Sequence, residues 1–293
     1  MSIPSEIADP FEEFDYVPLT NDLLFHMVFT KNEFALKSLL SSILNIPVDS
    51  MERIEILNPM QYSDGIDSKL TVLDLKLHLN GQKFILVEMQ VRKFLYWTNR
   101  TLAYACRQIS DQVKGVNFEY NLIQPVVQIA IMDHTLFPDH KRFLSRYLLR
   151  DEENYLYSDK LEFVVMDLTA VDEADEEEKK QGLVAWANAF RADDWDSVKK
   201  IDNEGVQEAM KTMSLIMATP SERQMIWDRK MAIIDYNYSI AGAMAEGRKE
   251  GRKEGENRLM MLISRLSEQN RFDDIKRCTS DPEYREQLYR ELL

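Results

Sequence analysis

The chain has 293 residues, of which 45% are hydrophobic and 29% are charged, as expected for a globular protein with one large domain or two modest ones. Its formal net charge of −14 argues against a broad basic surface for nonspecific nucleic-acid binding and leaves room for a local basic cleft. The two cysteines, Cys106 and Cys278, provide neither a disulfide framework nor a zinc-ligand set, and they favour a reducing cytoplasm.

Residues 1–17 are predicted to form an arm with little structure. They are acidic and lack the apolar segment of a secretory signal. No apolar run in the sequence approaches the roughly 20 residues that a membrane-spanning helix needs. We therefore expect a cytoplasmic protein without a membrane partner.

Two helices are predicted next. Thr20 or Asn21 can cap the first helix, and Asp22 lies in its first turn, where the helix dipole favours an acid. The second helix is predicted over residues 33–44, because apolar residues recur there at helical spacing, and Pro47 is expected to stop it.

A β-hairpin is predicted over residues 73–90, after a short strand at residues 53–57. Two segments of alternating apolar residues are joined by an Asn-Gly pair, which is a strong signal for a hairpin turn. The hairpin also carries Asp74, Glu88 and Gln90 at positions that an ordinary hairpin could give to apolar residues.

The length of the loop around residues 80–81 decides whether the two acids of the hairpin meet, because side chains alternate across a strand. A two-residue turn would put Asp74 and Glu88 on opposite faces. A three-residue loop with its glycine in the left-handed conformation would pair His78 with Gln82. The two acids would then share one face, diagonally across the hairpin. A functional site therefore predicts a loop of odd length or a bulge.

A helix is predicted over residues 95–114, with Gly115 at its end. The apolar positions expected to face the core are Leu102, Ala103, Cys106 and Ile109. Strongly apolar strands follow at residues 125–132 and 161–168, and the first of them is expected to be central and buried on both faces. The segment at residues 140–150 is locally basic.

These patterns predict an α/β core at residues 18–170, a helical subdomain at residues 171–240 and a helical tail at residues 241–293. In the tail, Gly247, Gly251 and Gly255 lie four residues apart on one face of a helix. This spacing favours an exposed spacer helix, and the alternative is close pairing of helices in a homo-oligomer. Two short amphipathic helices are predicted to follow, the first carrying Leu259, Leu262 and Leu266.

The acids of the hairpin suit a divalent cation. Two carboxylates on one half-buried face repel each other and lose hydration, and a cation offsets both effects. Mg²⁺ binds one or two carboxylates together with a backbone carbonyl and waters. From the residues alone, however, a solvated hairpin face is the simpler explanation of Asp74 and Glu88.

A wider set of residues resembles the PD-(D/E)XK nuclease superfamily and, more narrowly, the bacterial family of recombination-promoting nucleases and transposases. Asp74, Glu88 and Gln90 correspond to the core motif of that superfamily. The resemblance covers roughly residues 18–170. Its other parts, in chain order, are the Asp22-Leu-Leu-Phe helix start, Lys69, the Asn-Gly turn, the VEMQ strand end, Arg100, Tyr104 and the segment GVNFEYNLIQPVVQIAI.

The resemblance implies a restriction-endonuclease-like mixed sheet flanked by helices, with a helical C-terminal region. It also implies a DNA endonuclease that hydrolyses phosphodiester bonds with Mg²⁺, or alternatively Mn²⁺, in recombination or in mobile elements. The alternatives are a weak or inactive nuclease fold that serves as a DNA-binding or interaction scaffold, and a nuclease directed at RNA.

The resemblance assigns roles to individual residues. Asp74 and Glu88 would bind the metal with the backbone carbonyl of Met89, and Asp22 would add a further acidic contact. Gln90 stands where the wider superfamily has lysine, so it can orient water and cannot supply positive charge. The residues expected to contact DNA are Lys69, Lys76, Arg100, Tyr104 and Arg107. For Arg100 the alternative is an ion pair with a local acid, and for Tyr104 it is core packing.

Overall fold

The computed structural model describes residues 16–57, 60–61, 71–72 and 74–293. Most of the predicted arm, together with Lys69 and Leu73, lies outside the described residues. The chain divides into two compact units, Met1–Trp227 and Asp228–Leu293. The boundary between them lies within one long helix.

The first unit begins with two helices, α1 (Asp22–Lys31) and α2 (Glu33–Leu44). Asparagine side chains accept a backbone hydrogen bond at the start of each helix, Asn21 at the first and Asn32 at the second. Such caps satisfy amide groups that have no partner within the helix. The predicted Asn21 cap and the predicted bounds of α2 are therefore confirmed. Asn45, in the left-handed conformation, ends α2 before Pro47.

The strands follow in the order β1 (Ile54–Leu57), β2 (Met60–Gln61), β3 (Thr71–Val72), β4 (Leu75–Leu79), β5 (Lys83–Gln90), β6 (Val126–Met132), β7 (Leu144–Arg150) and β8 (Leu156–Asp167). Six of them form one mixed sheet in the order β1-β4-β5-β6-β8-β7, and β2 pairs with β3. Strands β5, β6 and β8 are parallel, and the other pairs in the large sheet are antiparallel. Strand β6 is central and buried along its length, as predicted.

The two faces of the sheet are covered differently. Side chains such as Leu77, Val87 and Ile129 belong to the large core, which they share with α1, α2 and the helices after β8. The opposite face is covered by α3 (Trp97–Ser110), which contributes Ala105 to a cluster with Leu86 of β5. The sheet therefore has a closely packed face and a second face with a single helix over it.

The predicted end and buried face of α3 are wrong. The helix ends at Ser110, where the backbone amide of Asp111 caps it. The expected end, Gly115, lies five residues later in the sequence. Leu102, Ala103 and Cys106 are exposed. The buried residues are Trp97, Thr101, Ala105 and Gln108. The sheet below α3 carries polar side chains as well as apolar ones, so the helix turns a mixed face towards it.

Strand β7 was not predicted. It lies in the segment expected only to be locally basic, and most of its residues are partly or fully exposed. An edge strand with polar side chains lacks the apolar alternation that marks a half-buried strand.

Helices make up the rest of the chain. They are α4 (Glu176–Lys180), α5 (Leu183–Arg191), α6 (Trp195–Lys199), α7 (Glu204–Ala218), α8 (Pro220–Glu268), α9 (Phe272–Ser280) and α10 (Pro282–Leu292). None of the helices in the described part of the chain could span a bilayer. The mixed sheet with flanking helices and a helical C-terminus confirms the predicted α/β class.

The second unit contains most of α8, from Asp228 onward, together with α9 and α10. Its small core is formed by Leu262, Leu266, Cys278, Leu288 and Tyr289. The segment with Leu259, Leu262 and Leu266 was predicted as a separate short helix, but it continues α8, and the two short helices come after it. Gly247, Gly251 and Gly255 lie on exposed turns of α8 with open space around them.

Candidate active site

The hairpin loop contains three residues, because Leu79 pairs with Lys83. Its first two residues, Asn80 and Gly81, have positive φ angles of 52° and 68°. The side chain of Asn80 accepts a hydrogen bond from the amide of Arg53 at 3.0 Å, which fixes the loop against the segment before β1. Asparagine and glycine adopt this left-handed conformation most readily, so the sequence favours the loop.

The odd length of the loop agrees with the prediction, but the register does not. His78 pairs with Phe84, whereas a pair with Gln82 was expected. The last pair at the other end of the hairpin is Leu75 with Val87, so the same register sets Asp74 directly opposite Glu88 rather than diagonally across from it. The two acids therefore belong to the same face of the sheet.

Asp74 is held from two sides. Its Oδ2 accepts a hydrogen bond from the amide of Met89 at 2.6 Å, across the hairpin. Its carbonyl lies 2.7 Å from Nδ1 of His26 on α1. A carbonyl can only accept, so Nδ1 of His26 carries the proton. These contacts fix the backbone and one carboxylate oxygen of Asp74 at the mouth of the hairpin.

Glu88 is an acid inside the protein, with only 3% of its surface exposed. Its Oε2 accepts a hydrogen bond from Arg100 at 3.2 Å, and its Oε1 has no hydrogen-bond partner among the described residues. Burial raises the pKa of Glu88 to about 7; the Arg100 charge opposes this rise, and the Asp74 charge adds to it. The effect of the Asp74 charge on Glu88 is expected for two acids on one face of the hairpin.

Gln90 and Arg100 complete this cluster. The Gln90 amide donates to the carbonyl of Arg92 at 2.7 Å, and its oxygen accepts from Arg100 at 3.5 Å. Arg100 also packs against aromatic rings, with its guanidinium carbon 4.5 Å from the ring centre of Trp97 and 4.9 Å from that of Phe94. The guanidinium is therefore held over both Glu88 and Gln90, and the ion pair that was the alternative for Arg100 is present.

The other predicted contact residues lie along α3 and β4. Lys76 shares the Asp74 side of β4 and is half-buried. Burial lowers the pKa of Lys76, the Asp111 charge opposes this change, and the charges of Arg107 and Lys114 add to it. Tyr104 packs at the edge of the cluster under α3, with its ring centre 5.7 Å from the Arg100 guanidinium carbon.

Asp22 lies in the first turn of α1, one turn before His26. Its Oδ1 accepts a hydrogen bond from the amide of Leu23 at 2.8 Å. Helix α1 contacts the site through His26, a residue that the sequence analysis did not single out.

Sequence reasoning also missed polar residues on the neighbouring strands. Gln128 is buried within β6, and Asp167 is buried at the end of β8. Asp133 and His134 follow β6, and the amide of Asp133 donates to the Gln90 carbonyl at 2.9 Å. Burial is the main cause of a raised pKa for Asp133 and a lowered pKa for His134. The available signal was a polar residue within or just after a strongly apolar strand.

The cluster fits a cation that takes few ligands from protein. The described residues contain no group of three or more His, Cys, Asp or Glu side chains arranged to hold a metal. Mg²⁺ does not require such a group, because it takes one or two carboxylates and keeps several waters. Asp74 and Glu88 meet that requirement, and the unpartnered Oε1 of Glu88 is a buried oxygen without a donor.

Comparison with known proteins identifies the family of the chain. No curated protein and no solved structure matches the chain. A family model described as "PD-(D/E)XK nuclease family transposase" matches residues 19–243, which include every described residue of the cluster. The chain belongs to the PD-(D/E)XK nuclease family of transposases.

Proposed function

We propose that this protein is a metal-dependent endodeoxyribonuclease that hydrolyses phosphodiester bonds, with Mg²⁺ or Mn²⁺ as its cofactor. The observation that carries the proposal is the buried Oε1 of Glu88, which has no described partner and belongs to a side chain directly opposite Asp74. A buried carboxylate oxygen without a donor is unfavourable unless a cation or water binds it. Family membership supports a role in recombination or in mobile elements.

Asp74 and Glu88, with the backbone carbonyl of Met89, would hold the cation. The side chain of Met89 is buried in the large core, so only its backbone is available to the site. A bound divalent cation would lower the pKa of an attacking water and stabilise charge on the phosphoryl oxygens. The Met89 amide keeps the Asp74 carboxylate turned towards the hairpin.

Arg100 would supply the positive charge that Gln90 lacks. The superfamily pattern places a lysine at the Gln90 position, and here Arg100 reaches the Gln90 oxygen and the Glu88 carboxylate with one nitrogen. Its guanidinium can hold a phosphate oxygen, while the Gln90 amide orients the water. Gln90 is thus proposed to orient the attacking water, and Arg100 is proposed to supply positive charge to the phosphate.

The remaining assignments follow the same surface. We assign Lys76 and Arg107 to the DNA backbone, because the charge of Arg107 acts on the half-buried Lys76. Tyr104 and Lys69 are further DNA contacts in this proposal, and Asp22 is an additional acidic contact near the metal.

One observation favours a second candidate, a DNA-binding scaffold with weak or no cleavage. Arg100 already neutralises part of the Glu88 charge, and Gln90 brings no charge of its own. In that case the cluster would be an internal ion pair, and DNA would bind to the Lys76 and Arg107 side without being cut.

The proposal extends to the organisation of the chain. Residues 18–170 would form the nuclease core, residues 171–240 would support it, and residues 241–293 would form a helical tail with an exposed spacer, for which pairing of copies of the protein is the alternative. We place the protein in the cytoplasm, where the exposed Cys106 and the buried Cys278 would stay reduced.

Nicking of supercoiled plasmid tests the proposal. Wild type is expected to nick the plasmid with Mg²⁺ or Mn²⁺ and to lose activity in a chelator. Asp74→Asn keeps an oxygen for the Met89 amide and removes the charge, so it should abolish nicking. Glu55→Gln, which changes an exposed acid on the neighbouring strand β1, is the matched control and should remain active.

Calorimetry separates the two candidates. Wild type should bind Mg²⁺ in the absence of DNA, and Glu88→Gln should not. If wild type and Glu88→Gln bind the ion alike, or if Asp74→Asn nicks like wild type, the assigned site is wrong. A wild type that neither binds Mg²⁺ nor nicks the plasmid favours the scaffold. Cleavage of an RNA strand with the DNA plasmid left intact would show that the substrate is RNA. The assigned site would then stand.

A further inference from the structure

A cavity of about 220 Å³ lies between α3 and the sheet. Gln128 and Ala130 of β6 contribute to its wall. In the parallel pairing of β5 with β6, Ala130 is the partner of Glu88, so the cavity borders the strand position next to the candidate active site. The volume is well above the roughly 30 Å³ share of a single water molecule.

The wall contains a buried polar group without a partner. Gln128 is 1% exposed, and neither its side-chain nitrogen nor its oxygen has a hydrogen-bond partner among the described residues. An unsatisfied buried amide is unfavourable, so such groups are normally paired. The amide therefore matches an occupant that offers one donor and one acceptor side by side.

The other walls favour a flat occupant. Aromatic rings from α3, the loop after β6 and two strands line the cavity, namely Trp97, Phe137, Tyr147 and Phe163. Aromatic rings bind planar groups by stacking or by edge contacts. Trp97 also lies against Arg100, with 4.5 Å from the guanidinium carbon to its ring centre, so the cavity adjoins the positive charge of the site.

Exposed apolar side chains directly precede Trp97, a residue of the cavity wall, in the chain. Phe94, Leu95 and Tyr96 are 55%, 85% and 69% exposed, directly before α3 and four to six residues after Gln90. Arg92 and Lys93 precede them in the chain. Apolar wedges beside basic residues are used by proteins that unstack nucleic-acid bases.

We propose that the cavity under α3 receives a nucleobase that has left the stack of the bound DNA strand. Every nucleobase is planar and carries a donor and an acceptor on one edge, as the Gln128 amide requires. The inference rests on the proposed function for the position of the DNA backbone near Arg100. The inference also implies that the substrate is a strand with an unpaired base, such as single-stranded or mismatched DNA. Such a base leaves the stack most easily.

Binding of two strands of equal length and charge tests the inference. One is an oligodeoxyadenylate, and the other is its abasic analogue, with the same phosphates and no bases. Fluorescence anisotropy in chelator measures affinity without cleavage. Wild type is expected to bind the strand with bases about tenfold more tightly, as stacking of a base on aromatic side chains predicts.

Variants of the cavity and a matched control locate the effect. Leu102 lines the cavity on the exposed side of α3, and Leu102→Trp should obstruct it and bring the affinity ratio close to one. Ala103→Trp adds the same ring at an exposed position of α3 outside the cavity lining and should keep the ratio. Gln128→Leu should reduce the ratio without loss of folding stability, since no hydrogen bond is removed.

Equal affinity of wild type for the two strands would overturn the inference, as would an unchanged ratio in Leu102→Trp. A raised melting temperature with free adenosine, together with equal binding of the strands, would assign the cavity to a free nucleoside and would also overturn it. Plasmid nicking does not enter these measurements. If the protein nicks DNA but binds the two strands equally, only the proposal for the cavity is contradicted. If it prefers the strand with bases but does not nick DNA, only the proposed nuclease function is contradicted.

Discussion

The guanidinium of Arg100 lies 3.2 Å from the buried carboxylate of Glu88, and the same nitrogen lies 3.5 Å from the side-chain oxygen of Gln90. Strand β5 and helix α3 thus bring together the carboxylate of Glu88, the side-chain amide of Gln90 and the guanidinium of Arg100. Arg100 is one-third exposed, so solvent or a phosphate can reach it while it holds Glu88.

Replacement of Arg100 should move the pH dependence of nicking. The Arg100 charge lowers the pKa of Glu88, so Arg100→Gln should raise that pKa above about 7 and leave less ionised carboxylate at neutral pH. Nicking should fall by at least about tenfold at pH 7, because a phosphate contact is also lost. It should recover in part as the pH rises. Plasmid nicking measured from pH 6 to pH 9 checks this.

Arg107→Gln is the control for that experiment, because Arg107 lies on the same helix, while the pKa of Glu88 responds to burial, Arg100 and Asp74. It should weaken DNA binding and leave the pH profile in place. An Arg100→Gln variant with the wild-type profile would contradict the assigned contact.

Glu88→Gln should stabilise the metal-free protein while it abolishes cleavage. The pKa of Glu88 is raised from 4.5 to about 7, so the folded state holds a proton that the unfolded state has lost. Stability from this group is complete below pH 4.5 and is lost as the pH rises towards 7. The loss is on the order of 3 kcal/mol, and glutamine avoids it. Thermal unfolding in chelator at pH 5 and pH 8 measures the difference.

The gain should appear at pH 8 and be much smaller at pH 5. Glu55→Gln, at an exposed acid, should show no comparable difference between the two pH values. A Glu88→Gln protein that is less stable than wild type at pH 8 would indicate that the Glu88–Arg100 ion pair is a net structural support.

Gly205 and Gly251 should respond in opposite ways to alanine. A Cβ on Gly205 would lie 1.9 Å from Oγ and 2.3 Å from Cβ of Ser38, where α7 packs on α2. Gly205→Ala should therefore destabilise the first unit by about 1–3 kcal/mol. Chemical denaturation followed by tryptophan fluorescence is suitable, because Trp186 is part of that core.

Gly251→Ala should stabilise its helix by roughly 1 kcal/mol, because α8 is exposed there and a Cβ meets no other atom. Amide hydrogen exchange along α8 measures this change. If the alanine variant instead lowers the mass of an oligomer in sedimentation, the glycines serve close helix pairing, and the exposed-spacer interpretation is wrong.

The features predicted most accurately from the sequence are those that depend on residues close together in the chain. Asn21 and the bounds of α2 follow from caps and apolar spacing, and the odd loop of the hairpin follows from alternation and the Asn-Gly pair. The exact register did not follow, because a loop that begins one residue later has the same parity. It required the Asn80 side chain, which bonds to Arg53 and Ser50 before β1.

The buried face of α3 could not be read from periodicity. Leu102 and Ala103 are the more apolar choice, yet Thr101 and Gln108 are buried. The deciding influence is the sheet beneath, where Glu88 and Gln128 are polar and a cavity remains. Likewise, Arg100 pairs with Glu88 because the loop after β5 brings α3 back over that strand. No local sequence pattern predicts the path of this loop.

The bond from His26 to the backbone of Asp74 joins residues 48 positions apart in the sequence. A fragment that starts after α1 would retain both acids, Gln90 and Arg100, and it would keep the bond from the Met89 amide to Asp74 but lose the contact from His26. Helix α1 thus supports the position of an acid that is encoded after it, in a different element of the fold. The presence of Asp74, Glu88 and Gln90 in a shortened chain is consequently not enough to reproduce the arrangement of this site; α1 must also be present.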